Sequence, residues 1–239
     1  TLGTPPSTPG TTPGTLGSPP PSAAPHPTIV CISDTHNCHR DVAVPPGDVL
    51  IHAGDWTRFG KEEHLRDFNA WLGTLPHPHK IVVNGNHEQN ARLGAAAHLT
   101  NATFLEQGSI ILEPWGLKVY GTQFCWPCQG RNPYWDQIEP DTDIIVTHGP
   151  AKGYVDKGTG CADLLRRVRE VRPRLVVSGH IHEAHGEVKP PSGPDAGIHF
   201  VNAANCRNGY RAGWEAITVT LDLSAPRPPA TAPSQCIVA

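Results

Sequence analysis

The chain has 239 residues, a formal net charge of −3 and 38% hydrophobic residues, enough for one large domain with a proper core or at most two small ones. That balance excludes a basic footprint for nucleic acid; no apolar run approaches the roughly 18 residues of a membrane span, and no charged-then-apolar signal segment opens the chain. Seven cysteines, an odd number scattered from Cys31 to Cys236, suit a reduced intracellular protein better than a disulfide scaffold, so the expected location is cytoplasmic.

Residues 1–27, almost all Pro, Gly, Thr and Ser, cannot bury enough apolar surface to offset ordering entropy and read as a disordered tail. From 28 to 223 the chain reads as one globular domain. Runs rich in Val and Ile, bounded by Gly, Pro or Asp, predict strands at 28–33, 48–53, 80–85, 117–122, 143–148, 174–179, 197–203 and 216–221. Apolar residues at helical spacing predict helices over 61–72, with Leu65, Phe68 and Leu72 on one face, and over 161–171, with Leu164, Leu165, Val168 and Val171 likewise. A third helix is expected over 88–99, and 186–197 reads as a long Pro/Gly turn. Residues 224–239 form a second Pro-rich tail. Strands alternating with helices, several of them apolar on both faces, predict an α/β domain with buried sheets, whose sites gather beyond the carboxyl ends of the strands.

Those strand ends carry the chemistry. Asp34-Thr35-His36 follows the first, Gly54-Asp55 the second and Gly85-Asn86-His87-Glu88 the third. His148-Gly149 follows a later strand, and Gly179-His180-Ile181-His182 the next. Each pair alone is common on protein surfaces. Recurrence at five equivalent positions is not, because burying such groups unpaired costs several kcal/mol each.

The ordered set of DxH, GD, GNHE, a lone His before Gly, and GHxH resembles the calcineurin-like metallophosphoesterase superfamily over nearly all of 28–223. IVCISDTHN, GDVLIHAGDWT, LPHPHKIVVNGNHE and GHIHEAHG are closest to its small single-domain branch related to cyclic-nucleotide phosphodiesterases. The resemblance implies a four-layer α/β/β/α sandwich, two mixed sheets flanked by helices, with a two-metal site at the sheet rim. It implies that Asp34, His36 and His182 hold one metal and Asn86, His148 and His180 the other, with Asp55 bridging. Carboxylate, amide and imidazole donors suit manganese or iron, with zinc as the alternative. A hydroxide between the metals would attack phosphorus in line, and His87, not a ligand in the family, would protonate the leaving oxygen. The implied activity is hydrolysis of a small phosphodiester such as a cyclic nucleotide. A phosphomonoesterase and an idle, membrane-tethered scaffold are the alternatives; no nucleic-acid polymer is expected as partner.

Protein phosphatases of the superfamily continue GD as GDxVDRG, whereas Arg58 stands here in place of the second Asp. That departure makes protein dephosphorylation a poor fit and puts a cation where a phosphate could be gripped. Cys125-Trp126-Pro127-Cys128 has redox spacing without a partner pair, Trp126, Tyr134 and Trp135 are candidates for stacking on a base, and Asn205 and Cys206 follow a strand end. The final residues Cys236-Ile237-Val238-Ala239 match a farnesylation box on a flexible stalk. One lipid without a polybasic patch implies weak membrane association.

Overall fold

A computed structural model describes residues 26–228 apart from 93, 96–97, 127–129 and 208. Of the tails expected at 1–27 and 224–239, only residues 26–27 and 224–228 are described; the rest, including Cys236, lies outside the described residues, as does Cys128.

In chain order the strands are β1 (Thr28–Ile32), β2 (Val49–His52), β3 (His79–Val82), β4 (Thr103–Phe104), β5 (Gly108–Leu112), β6 (Leu117–Gly121) and β7 (Ile144–Val146). They continue with β8 (Leu175–Ser178), β9 (Gly186–Val188), β10 (His199–Asn202), β11 (Cys206–Arg207), β12 (Arg211–Ala212) and β13 (Ile217–Thr220). The helices are α1 (Glu62–Thr74), α2 (Asn86–Asn90), α3 (Pro133–Asp136) and α4 (Ala162–Val171). Every segment expected as a strand becomes one. Among the described residues, only the start of the helix expected over 88–99 is helical as α2: it ends at Asn90, and Arg92 takes a left-handed φ of 53° that no helix continues through. The long turn expected at 186–197 begins as strand β9, which pairs with β10.

Two mixed sheets face each other, one ordered β13-β1-β2-β3-β4 and the other β5-β6-β7-β8-β10-β9. Alternation along each central strand decides the layers. Ile29, Cys31, Val49, Ile51 and Ile81 point inward and meet Val119, Ile144, Val146, Leu175, Val177 and Val201 of the opposite sheet. Val30, Ile32, Leu50 and Val82 point outward onto Leu65, Phe68, Trp71 and Leu72 of α1. On the far side Tyr120, Ile145, Val176 and Phe200 pack on Leu164, Val168 and Val171 of α4 and Trp135 of α3. The result is the α/β/β/α sandwich.

Full burial of each such side chain contributes about 1.5–3 kcal/mol, and a one-residue slip would turn every side chain to the other face. The register that fills the core thus also fixes where each strand end delivers its polar residue. In the parallel set β1-β2-β3, Ile29 lies opposite Val49 and Val49 opposite His79, so the three carboxyl ends finish at one rim.

Candidate metal centre

Asp34, Asp55 and Asn86 leave the ends of β1, β2 and β3 in one sheet, and His148, His180 and His182 leave β7 and β8 in the other. The chain turns sharply at these positions. Asp34, His36, Asp55 and His180 hold left-handed φ values of 53°, 41°, 54° and 66°, a conformation that costs a non-glycine residue about 1–3 kcal/mol and persists only where surroundings impose it. Neighbouring turns bind one another: Asp34 N–H donates to the Gly54 carbonyl at 2.9 Å, His36 N–H to the Asp55 carbonyl at 3.0 Å and Gly179 N–H to the His148 carbonyl at 2.9 Å.

Each carboxylate is anchored by one oxygen and presents the other. Asp34 Oδ2 accepts the His180 N–H at 2.9 Å. Its Oδ1 lies 3.2 Å from His182 Nε2, 3.8 Å from His36 Nε2 and 3.9 Å from His148 Nε2. Asp55 Oδ1 accepts the His87 N–H at 2.9 Å, and its Oδ2 lies 3.2 Å from His148 Nε2 and 3.8 Å from both His36 Nε2 and His87 Nε2. Close approach of the chain is needed for this. A Cβ on Gly179 would overlap Asp34 Oδ2 and Ser33 Oγ, and one on Gly85 would overlap Asp55 Oδ1.

The imidazoles are oriented from behind. His148 donates Nδ1–H to the Ala53 carbonyl at 2.8 Å, leaving Nε2 for the centre, where Asn86 Oδ1 lies 3.2 Å away. The Arg207 backbone carbonyl hydrogen-bonds the His182 ring. Burial and the neighbouring imidazoles push His180 down to about 4, and burial pushes His36 down to about 4 against the pull of Asp34 and Asp55. Both imidazoles are therefore neutral and have lone pairs to give. Burial opposes charge on Asp34 and Asp55, yet the surrounding histidines hold both carboxyls below their usual range. Burial alone would also lower His148, but those two carboxylates outweigh it and raise it to about 10. A pair of buried anions facing a ring of imidazoles calls for positive charge between them.

The donor set fits metal ions. Asp34, His36 and His182 bring their ligand atoms within 4.8 Å of one another, as do Asp55, His148 and His180, and also His36, Asp55 and His87. The Nε2 atoms of His36 and His182 face each other at 3.2 Å. All seven side chains expected as ligands thus meet at one rim, with Asp55 common to two groups and Asn86 against His148.

His87 stands apart. Its Nδ1–H donates to the Arg58 carbonyl, which turns Nε2 toward Asp55, and its ring is partly exposed in a cleft of about 360 Å³ lined also by His36, Asp55, Asn86, His180 and His182. The Arg58 side chain is exposed at the mouth, its Cζ 4.9 Å from the Tyr210 ring centre. Trp126 lies edge-on to His180 at 4.4 Å. Trp135, in contrast, is 1% exposed inside the α3–α4 core and cannot stack on a bound base. Asn205 is buried behind the site, where its Oδ1 accepts the Ser33 N–H at 3.1 Å, and Cys206 Sγ lies 3.6 Å from the Thr35 carbonyl.

Two residues escaped the sequence reading. Glu88, fully buried, accepts N–H bonds from Asp55, Thr57 and Gly85 and the Thr57 hydroxyl, all at 2.8–2.9 Å, and so holds the Asp55 turn to the start of α2. Burial and the Asp55 charge push its carboxyl up to about 7. GNHE displayed it, but nothing local said that it faces backward. Tyr210, in the turn between β11 and β12, has its ring 4.5 Å from that of His36, 5.7 Å from His87 and 6.2 Å from His182.

A four-layer sandwich with paired carboxylates and imidazoles at its rim defines a metal-binding α/β protein. Residues 27–184 match the model of the calcineurin-like phosphoesterase family, and the chain belongs to that family. It is 34% identical over 240 residues to human metallophosphoesterase domain-containing protein 1, covering 83% of this chain and 72% of that one. With a UPF0046 protein of Caenorhabditis elegans it shares 36% identity over 223 residues, 80% of this chain and 74% of the other. The fold is also that of the protein TT1561 of Thermus thermophilus, at a TM-score of 0.55 and 11% identity over 74% of this chain and 88% of that one. Family and donor set together make the chain a metal-dependent phosphoesterase.

Proposed function

We propose that the centre takes two cations, manganese or iron with zinc as the alternative, and hydrolyses small phosphodiesters such as cyclic nucleotides. Asp34, His36 and His182 would hold one ion, Asn86, His148 and His180 the other, and Asp55 both. The observation that carries this reading is the Asp55 carboxylate, whose free oxygen stands 3.8 Å from His36 Nε2 on one side and 3.2 Å from His148 Nε2 on the other. Bound cations would acidify a water for attack on phosphorus and neutralise charge on the phosphoryl oxygens.

The chain supplies the rest. His87, held through Nδ1 by the Arg58 carbonyl, offers Nε2 as the proton carrier for the leaving oxygen. The exposed Arg58 guanidinium supplies N–H donors for a phosphoryl oxygen at the mouth. That same cation favours a second reading, a phosphomonoesterase, because a monoester carries more negative charge. Turnover of bis-p-nitrophenyl phosphate against p-nitrophenyl phosphate in manganese separates the two: the diester reading requires the higher kcat/KM on the former. Metal content with an Asp55→Ala comparison tests the idle scaffold, which predicts little bound metal and no activity to lose.

A further inference from the structure

Two cavities adjoin the metal cleft, each sharing two of its lining residues, and have no lining residue in common among those described. One, of about 390 Å³, shares His182 and Glu183 with the cleft and is walled by Arg207 and Trp214. The other, of about 330 Å³, shares Asn86 and His87 with it and is walled by Arg58 and Phe59. Each exceeds the roughly 150 Å³ that accommodates a benzene ring.

Their chemistry is alike. Arg207 Cζ lies 4.1 Å from the Trp214 ring centre, and Arg58 Cζ lies 5.2 Å from that of Phe59. Trp214 is backed by the His185 ring at 5.2 Å and an interplanar angle of 3°, and Arg207 Nε donates to the Gly213 carbonyl at 3.2 Å. The guanidinium is thereby held on its shelf. Phe59 is 65% exposed, an aromatic face that folding leaves uncovered. A planar cation on an aromatic ring offers a stacking face together with N–H donors, which suits a flat, polar ring such as a nucleobase.

We propose that the preferred substrate is an acyclic phosphodiester with two ring-bearing arms, the leaving arm seated at Arg58 and Phe59 and the retained arm at Arg207 and Trp214. This rests on the phosphodiesterase reading and narrows it, putting an open-chain diester in place of the cyclic nucleotide as the preferred substrate. His87 fixes the direction: an oxygen that takes its proton from His87 must depart along the His87 wall, where the Arg58–Phe59 cavity opens. The bond from water oxygen to phosphorus forms as the opposite P–O bond breaks. The leaving oxygen takes the His87 proton and the water's proton restores it, so the products are an alcohol and a phosphomonoester. A cyclic diester carries both ester oxygens on one arm and occupies one cavity only.

The test compares bis-p-nitrophenyl phosphate, which fills both cavities, with methyl p-nitrophenyl phosphate, which has only the leaving ring, using the full chain at equal metal loading. In Arg207→Ala the ratio of their kcat/KM values falls about tenfold, and in Arg207→Lys, which keeps the charge and loses the planar stack, it falls less. In Phe59→Ala both substrates lose together and the ratio stays. A ratio unchanged by Arg207→Ala, or lowered equally by Phe59→Ala, overturns the assignment of arms while leaving the phosphodiesterase reading intact. Failure of the unaltered chain to turn over either diester removes both.

Discussion

Glu88 illustrates how a single buried residue shapes a site to which it offers no ligand atom. Its two oxygens take four donors, from Asp55, Gly85 and both polar groups of Thr57, so it sets the turn that aims Asp55. Glu88→Gln keeps the volume but turns an amide NH2 toward those donors. Outer partners of this kind typically govern about 10–100-fold in metal affinity, and a manganese titration of Glu88→Gln should show a loss in that range with little change in helix content. Gly179→Ala acts by overlap. Its new Cβ collides with the anchored oxygen of Asp34, and because overpacking forces backbone shifts worth about 1–3 kcal/mol, activity should fall by about tenfold or more. Activity equal to the parent's would mean that Asp34 needs no fixed anchor.

Among the elements, α4 is tied to the long connection before β10 by one buried acid. Asp195, 1% exposed, accepts Arg169 Nε and Nη2 at 2.9 and 2.8 Å and the Tyr154 hydroxyl at 2.7 Å. Burial opposes its charge, but the guanidinium and the hydroxyl outweigh it and hold the carboxyl below its usual value. A depressed acid stabilises the fold above the ordinary carboxylate pKa, and that contribution is lost as pH falls through the lowered folded value. Thermal unfolding followed from pH 7 to pH 3 should therefore show the parent losing stability on acidification more steeply than Asp195→Asn, which is already less stable at pH 7. Parallel curves would mean that Asp195 carries no net stabilisation.

For the whole molecule, the centre is a clamp between layers. Asp34, His36, Asp55 and Asn86 come from one sheet and His148, His180 and His182 from the other, so a bound cation ties the two sheets together at the rim. Without it two buried carboxylates face each other across imidazoles. A ligand bound only by the folded state stabilises it by about 2.7 kcal/mol at a hundredfold excess over Kd. The melting temperature should drop on chelation and recover with added manganese, and Asp55→Ala should abolish the difference. Indifference of the parent to chelation would count against the paired-ion reading.

The sequence by itself determined the central strands, α1 and α4, which depend on local periodicity, and the clustering of Asp, Asn and His just past apolar runs; the choice of seven ligands among them came from the family resemblance. The sequence could not determine β4 or β9, short edge strands that exist because a strand elsewhere in the chain supplies their hydrogen bonds, or β5, an edge strand formed by hairpin pairing with β6. Nor could it reveal that α2 stops at Asn90, that Trp135 belongs to the core, or that the β11–β12 hairpin brings Arg207 and Tyr210 to the metal cleft. Side-chain type is written locally. Which side chains become neighbours depends on how two sheets stack, and that is decided by burial summed over residues far apart in the chain.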